Sequence, residues 1–288
     1  MHNFIKVLRP HQYLKNTFVL IGPLFAKQWD LVTTYQTAIT FISFCAISSS
    51  VYILNDITDI ESDRRHPTKN SRPIASGSIP IKIAKNLMMA LLITAITLSL
   101  IVSLWATFFI VLYFSINIAY SYQLKNIVIL DIFIISSGFM IRILTGTLGL
   151  NIMPSTWLLL CGLMLTLFLG FSKRLAELLM LNEDKDNNST RRVLADYSQP
   201  LLEQFISVTA ACTIMAYGLY TVSPITVELH GSANLIYTVP FVAYGIFRYL
   251  YLLHHCSKGN DTAEDFFTDR HLISNAIAWT ITTLWVLG

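Results

Sequence analysis

Long apolar runs separated by polar breaks dominate the chain: residues 13–29, 34–54, 82–101, 103–121, 127–150, 156–180, 201–223, 234–254 and 271–287. A helix needs about 20 residues to cross the hydrocarbon core, so the pattern predicts an all-α polytopic membrane protein with about nine transmembrane helices. Two boundaries are weak. The first run contains Gly22 and Pro23, and the third and fourth runs meet at residue 102. Proline is tolerated in membrane helices where neighbouring groups satisfy the freed backbone. Long polar segments interrupt the series only at 55–80 and 181–199, with a shorter one at 256–270. No solenoid period or low-complexity tract is present, and a single transmembrane domain over residues 1–288 is expected.

Composition agrees with this reading and excludes a soluble enzyme. The chain is 54% hydrophobic and only 13% charged, with a mean hydropathy of +0.56. Lys and Arg fall on alternate breaks. Lys6, Arg9 and Lys15 precede the first run, the 55–80 segment carries Arg64, Arg65, Lys69 and Arg72, and Lys185, Arg191, Arg192 and Lys258 lie in the later polar segments. The opposite side receives Lys27 alone. Positive loops stay cytoplasmic, so the amino terminus and all long polar segments are expected there. The net charge of +3 follows from that bias and from anionic lipid, and requires no nucleic-acid partner. Residues 1–16 are polar and no small-residue cleavage site follows the first apolar run, so no cleavable signal peptide is expected. Cys45, Cys161, Cys212 and Cys256 lack CxxC spacing, and the adjacent His254 and His255 point to different helix faces; neither set suggests a metal site.

The chemistry concentrates in residues 55–77, NDITDIESDRRHPTKNSRPIASG. If the second span continues as a helix through this stretch, its 100° step places Asp56, Asp59 and Asp63 within about 60° of one another, with Glu61 pointing away. Asn55 borders that face. Three carboxylates on one edge near a membrane need neutralising cations. A hard divalent ion such as Mg²⁺ would serve, since it takes one or two carboxylates plus phosphate oxygens and water. A solvated loop whose acids pair with Arg64, Arg65 and Lys69 is the other reading of the same spacing. The next residues favour the first. Lys69 and Arg72, on a chain stiffened by Pro67 and Pro73, are placed to grip phosphate oxygens that a metal leaves available.

NDITDIESD followed by RPIASG resembles NDxxDxxxD, the first aspartate-rich signature of the UbiA superfamily of membrane prenyltransferases. The longer form, DxxxDRxHPxKxxRPIASG, is similar to that of decaprenyl-phosphate phosphoribosyltransferases. The likeness extends to LRPHQYLKNTFVLIGPLFA (8–26), YSYQLKNIVILD (120–131), LFLGFSKRLAEL (167–178) and GNDTAEDFFTDRHL (259–272). It implies a UbiA-type fold with a cytoplasm-facing cavity, Mg²⁺ held by Asp56, Asp59 and Asp63, phosphoribosyl pyrophosphate as donor and a polyprenyl phosphate as lipid acceptor, with pyrophosphate released. It further implies a place in cell-wall polysaccharide synthesis.

Prenyltransferases of this type carry a second DxxxD motif after the sixth span. Here SKRLAEL stands instead: Lys173, Arg174 and Glu177 replace a carboxylate pair, removing metal ligands and adding phosphate donors. That exchange suits two anionic reactants. Glu183, Asp184 and Asp186 lie in a segment that reads as a solvated loop. Lys15, Asn16, Tyr122 and Lys125 are candidates for phosphate or ribose contacts at the cytoplasmic rim; snorkelling or interfacial anchoring is the other explanation for the lysines and Tyr122. Asp131 and Arg142 both lie inside the fifth span, about 16 Å apart along a helix axis at 1.5 Å per residue. Asp131 is assigned to the cavity wall near the donor, while for Arg142 a structural pairing is an equal alternative. The competing functions are prenyl transfer to an aromatic or quinone precursor, which would want the missing second motif, and transport, which the one-sided clustering of charge disfavours.

Overall fold

The computed structural model describes residues 2–66, 68–183, 194, 196–255 and 268–287. Pro67, Asp184, Lys185, Asp186, Arg191, Arg192, Cys256, Lys258 and the 259–267 part of the last polar segment lie outside the described residues, as does the side chain of Glu183. Among the described residues every regular element is helical, and the chain packs as two compact units, Met1–Pro154 and Ser155–Gly288.

In the first unit, α1 (His2–Leu8) leads into a 3-10 segment (Pro10–Leu20) and α2 (Ile21–Phe25). Then come α3 (Leu31–Thr58), α4 (Ile60–Arg65), α5 (Ile81–Val102), α6 (Leu104–Tyr122) and α7 (Leu130–Thr145). The second unit holds α8 (Thr156–Glu183), α9 (Gln199–Val222), α10 (Pro224–His230), α11 (Val239–His255) and α12 (Arg270–Leu287). Seven helical segments are long and apolar enough to cross a membrane, which makes this an integral membrane protein. They coincide with seven of the nine predicted spans. The first predicted span is not one α-helix. It is wound as 3-10 over Pro10–Leu20 and closes with α2, followed by Lys27 in the left-handed region. At about 2.0 Å per residue in the 3-10 part and 1.5 Å in α2, this stretch still reaches about 30 Å, close to the hydrocarbon thickness. The ninth is the 18-residue α12, whose hydropathy Arg270, His271 and Asn275 reduce. The weak boundary at residue 102 is a true break: Ser103 is extended, and its hydroxyl accepts from the Ala106 N–H to cap α6 while donating to the Gly149 carbonyl.

α3 is the axis of the first unit and the most enclosed of the seven. Asp30 starts it by accepting from the backbone N–H and the hydroxyl of Thr33. Its 28 residues extend about 42 Å, so its carboxyl-terminal turns overshoot the hydrocarbon core. Small hydroxyl residues let neighbours approach it. Ser43 and Ser50 donate to the carbonyls of Ala95 and Met88 on α5, Ser49 donates to the Leu8 carbonyl, and Ser48 donates to the Asn16 side chain. Three consecutive serines therefore dock three different partners. Around them Val19, Phe44, Ile47, Val51, Phe109, Ile110 and Ile141 form the apolar centre.

Within that apolar centre lies the buried guanidinium of Arg142. It donates to the Asn16 side-chain oxygen at 2.9 Å, the Tyr113 hydroxyl at 3.0 Å and the Gly138 carbonyl at 2.8 Å. It also sits over the rings of Tyr113, Phe139 and Phe44, 4.8, 5.3 and 5.5 Å from their centroids. The pairing of Arg142 is thus structural, and its partners are neutral. It fastens the 3-10 segment to α3, α6 and α7. Gly22 and Gly146 complete the same junction, because a Cβ on either would overlap backbone of the other segment: the Gly146 carbonyl for Gly22, the Val19 carbonyl for Gly146. In the second unit α8 packs along α9, and the Tyr217 hydroxyl meets Thr238 at 2.7 Å while accepting from the Trp279 indole at 3.0 Å.

Two outcomes follow from the junction. Gly146→Ala must separate the two backbones and should lower stability by about 1–3 kcal/mol or more; an unchanged thermal midpoint in detergent contradicts the close approach. Asn16→Ala leaves a buried guanidinium short of an acceptor and should cost about 1–3 kcal/mol, read in the same melt.

Candidate active site

The candidate site grows from the carboxyl end of α3 and the loop that follows it. α3 does not continue through Asp63, contrary to the single-helix expectation. It ends at Thr58, Asp59 takes non-helical backbone angles (φ −96°, ψ 10°), and α4 restarts at Ile60. The Asp59 N–H still donates to the Asn55 carbonyl and the Asp63 N–H to the Asp59 carbonyl, so the winding carries across the interruption and leaves Asp56 and Asp63 close enough to share one guanidinium. The RPIASG loop folds back onto this end of the helix. Ile74 and Ile79 are buried with Val7, Ile53 and Ala84, the Ile79 N–H donates to the Pro73 carbonyl, and Gly77 supplies the positive φ (78°) that the turn needs. The Arg64 side chain donates to the Ala75 carbonyl and ties α4 to the loop. This apolar anchoring brings Arg72 over the acids.

Asp56 and Asp63 are almost fully buried, 2% and 4% exposed, and converge on one cation. Arg72 Nη1 donates to Asp56 Oδ1 at 3.1 Å and to Asp63 Oδ2 at 2.6 Å. Arg9 Nη2 donates to the same Asp56 oxygen at 2.5 Å, and its guanidinium lies 5.2 Å from the centre of the Tyr52 ring. Asp59, more exposed, pairs with Lys125 Nζ at 2.5 Å. Asn55 accepts from the Ser121 hydroxyl of α6, and Glu61 faces away with Arg64. Buried carboxylates are costly unless paired, and here three acids meet three cations.

Among the described residues no three His, Cys, Asp or Glu side chains gather as a ready-made metal cage. Of the three expected acids, Asp56 and Asp63 converge on Arg72, and Asp59 pairs with Lys125. The convergent pair nonetheless fits a hard cation. Two carboxylate oxygens that close on a single positive nitrogen present the donor chemistry Mg²⁺ requires when phosphate and water complete its shell.

The remaining candidates divide. Lys69 is half-buried on a 3-10 turn (Lys69–Ser71) beside Arg72, its N–H directed to His66 Nδ1. Burial and the neighbouring Lys69 lower the His66 pKa. Lys15 is half-buried, and Tyr122 is 63% exposed at the end of α6. Asn16 is fully buried and committed to Arg142, Ser48 and Cys45; its depth beside α3 removes it from the rim where sequence reasoning put it. Asp131 is likewise fully buried, in the first turn of α7 behind Ile129. Ile129 holds φ 68°, a strained conformation for a β-branched residue. In the second unit, Lys173 is exposed and Arg174 is buried and paired with Glu177 one turn on. There too, Arg248 grips Asp269 through two nitrogens and holds its carboxyl down at a pKa of about 2 while Asp269 caps α12.

Arg9 is the site residue that sequence reasoning missed. Its charge had been absorbed into the orientation count, yet it directly precedes Pro10 in the LRPHQYLKN segment and sits in the left-handed region (φ 53°) that turns its side chain toward Asp56.

Comparison with known proteins bears on this arrangement. The chain is 32% identical over 289 residues to a decaprenyl-phosphate phosphoribosyltransferase of Corynebacterium glutamicum, covering 98% of this chain and 84% of that one. It is 35% identical over 228 residues to the protein of that name in Mycolicibacterium smegmatis, covering 76% and 70% respectively. Its fold superposes with a TM-score of 0.73 on a UbiA homologue from Archaeoglobus fulgidus bound to GPP and Mg²⁺, at 12% identity and with 99% and 98% of the two chains covered. The model of the UbiA prenyltransferase family matches residues 17–269, and the chain belongs to that family.

Proposed function

We propose that this protein transfers a 5-phosphoribosyl group from phosphoribosyl pyrophosphate to a polyprenyl phosphate, releasing pyrophosphate. The observation that carries the reading is the convergence of Asp56 and Asp63 on Arg72, with Arg9 beside it, in a chain that matches named phosphoribosyltransferases over most of its length. Carboxylates surrounded by guanidinium and ammonium groups form a site for a metal and an anion together. The basic SKRLAEL element, where prenyltransferases have a second acidic motif, favours a donor and an acceptor that both carry phosphate.

In the reaction, the bond between the anomeric carbon and the pyrophosphate oxygen breaks as one forms to the acceptor phosphate oxygen. Mg²⁺ held by Asp56 and Asp63, with Asp59 at its edge, would neutralise the negative charge of the departing pyrophosphate. Arg9, Lys69, Arg72 and Lys125 bind the donor's phosphate oxygens and fix the anomeric carbon in line with the acceptor. The acceptor phosphate is already an anionic nucleophile at neutral pH. No proton has to be removed, so no general base is required. Lys15 and Tyr122 are assigned to the anionic substrates, with the cluster facing the cytoplasm of a bacterial cell because Lys and Arg concentrate on that side. The lipid-linked sugar would feed cell-wall polysaccharide synthesis.

Membranes containing the chain, given ribose-labelled phosphoribosyl pyrophosphate, a polyprenyl phosphate and Mg²⁺, should yield a labelled, solvent-extractable lipid. Label appearing instead only when a labelled prenyl diphosphate and an aromatic acceptor are supplied establishes the alternative prenyl transfer. Asp56→Asn keeps the shape and a hydrogen-bond acceptor but removes the charge; it should lose on the order of 100-fold in kcat in protein that still folds, and full activity in the purified variant rejects Asp56 as a metal ligand.

A further inference from the structure

We propose that Arg9, Arg72 and Lys125 are placeholders that couple divalent-metal binding to diphosphate binding, each ligand binding weakly alone and strongly with the other. The inference rests on the reading of the site as a metal-diphosphate site. It adds an energetic linkage that the residues themselves impose.

The acids and the cations that pair with them balance one to one. Asp56, Asp59 and Asp63 are matched by Arg9, Arg72 and Lys125, each acid holding at least one of the three. Asp56 and Asp63 are buried, so water does little to screen them. The carboxylate oxygens that converge between Asp56 and Asp63 are already engaged. Asp56 Oδ1 accepts from both Arg9 and Arg72, and Asp63 Oδ2 accepts from the same Arg72 nitrogen. A metal bonds carboxylate oxygen at about 2.0–2.1 Å, so an ion joining these two oxygens takes the place of that nitrogen. The displaced guanidinium groups then face a doubly positive ion with no partner. Metal alone is therefore opposed by the loss of the ion pairs and by repulsion.

A diphosphate reverses both terms. It gives the displaced guanidinium forks oxygen acceptors of matching geometry and restores neutrality around the metal. A diphosphate without metal meets cations already committed to carboxylates and meets the carboxylates themselves. Linkage makes the effect reciprocal. The architecture permits the exchange, because the acids are held on α3, on α4 and at the junction between them, whereas the side chains of Arg72 and Lys125 are 29% and 30% exposed.

The test uses the full-length protein in detergent and single-ligand titrations. Mn²⁺ alone is followed by electron paramagnetic resonance, and labelled inorganic pyrophosphate alone is followed by retention on the protein. Arg72→Gln should bind Mn²⁺ alone on the order of tenfold tighter than the unsubstituted protein, and Asp63→Asn should bind metal-free pyrophosphate tighter by a similar factor. Mn²⁺ affinity that is equal or weaker in Arg72→Gln overturns the coupling while leaving the metal site standing. No Mn²⁺ bound in any form, with or without pyrophosphate, removes the proposed function's metal reading itself. Where Arg72→Gln yields no folded protein, Lys125→Gln reports the Asp59 corner with the same expected direction, and unchanged Mn²⁺ affinity there overturns the proposal equally.

Discussion

Charge balance at the end of α3 is the constraint on which the rest of the first unit depends. Two carboxylates lie almost out of contact with water, next to the region that a membrane helix normally fills with apolar side chains. Left alone, either would be driven toward its neutral form. The bridging Arg72 pairs with both and holds them together, and that guanidinium is in place because Ile74 and Ile79 fasten its loop to α1, α3 and α5. Apolar packing thus sets the position of a polar site. The short α4 and the tight turn at Gly77 serve the same end.

A second charged group, Arg142, handles burial differently. Among the described residues its hydrogen-bond partners are neutral oxygens, and aromatic faces flank it. Together with the hydroxyls of Ser48 and Ser49 it holds a segment too irregular to be stabilised by α-helical hydrogen bonding alone. The result is that Arg9, between α1 and that segment, reaches the same Asp56 oxygen as Arg72. The polar core of the helix bundle and the cluster of acids are mechanically one assembly.

Hydropathy made most of this fold legible, since seven predicted spans correspond to helices and the family signature marked the acids. What could not be read has physical causes. The interruption at Asp59 falls among residues with no glycine or proline, so local propensity does not announce it, and Asp59 pairs there with Lys125 from far along the chain. Arg9 was hidden because a cation beside a membrane also serves as an orientation signal. Asn16 looked like a rim residue because 3-10 winding lengthens the rise per residue and carries it deeper than an α-helical count implies. The replacement of a second acidic motif by Lys173, Arg174 and Glu177 was visible, while the burial of Arg174 against Glu177 was not.

The length of α3 has a further consequence. Because the helix is longer than the hydrocarbon layer, its acidic end meets the headgroup zone at a depth that the surrounding lipid decides. A change in bilayer thickness then alters how far the cluster is immersed and how much water reaches it, while its internal spacing stays set by the bridging guanidinium. Lipid composition becomes a control on the dielectric of the site that needs no movement of its residues.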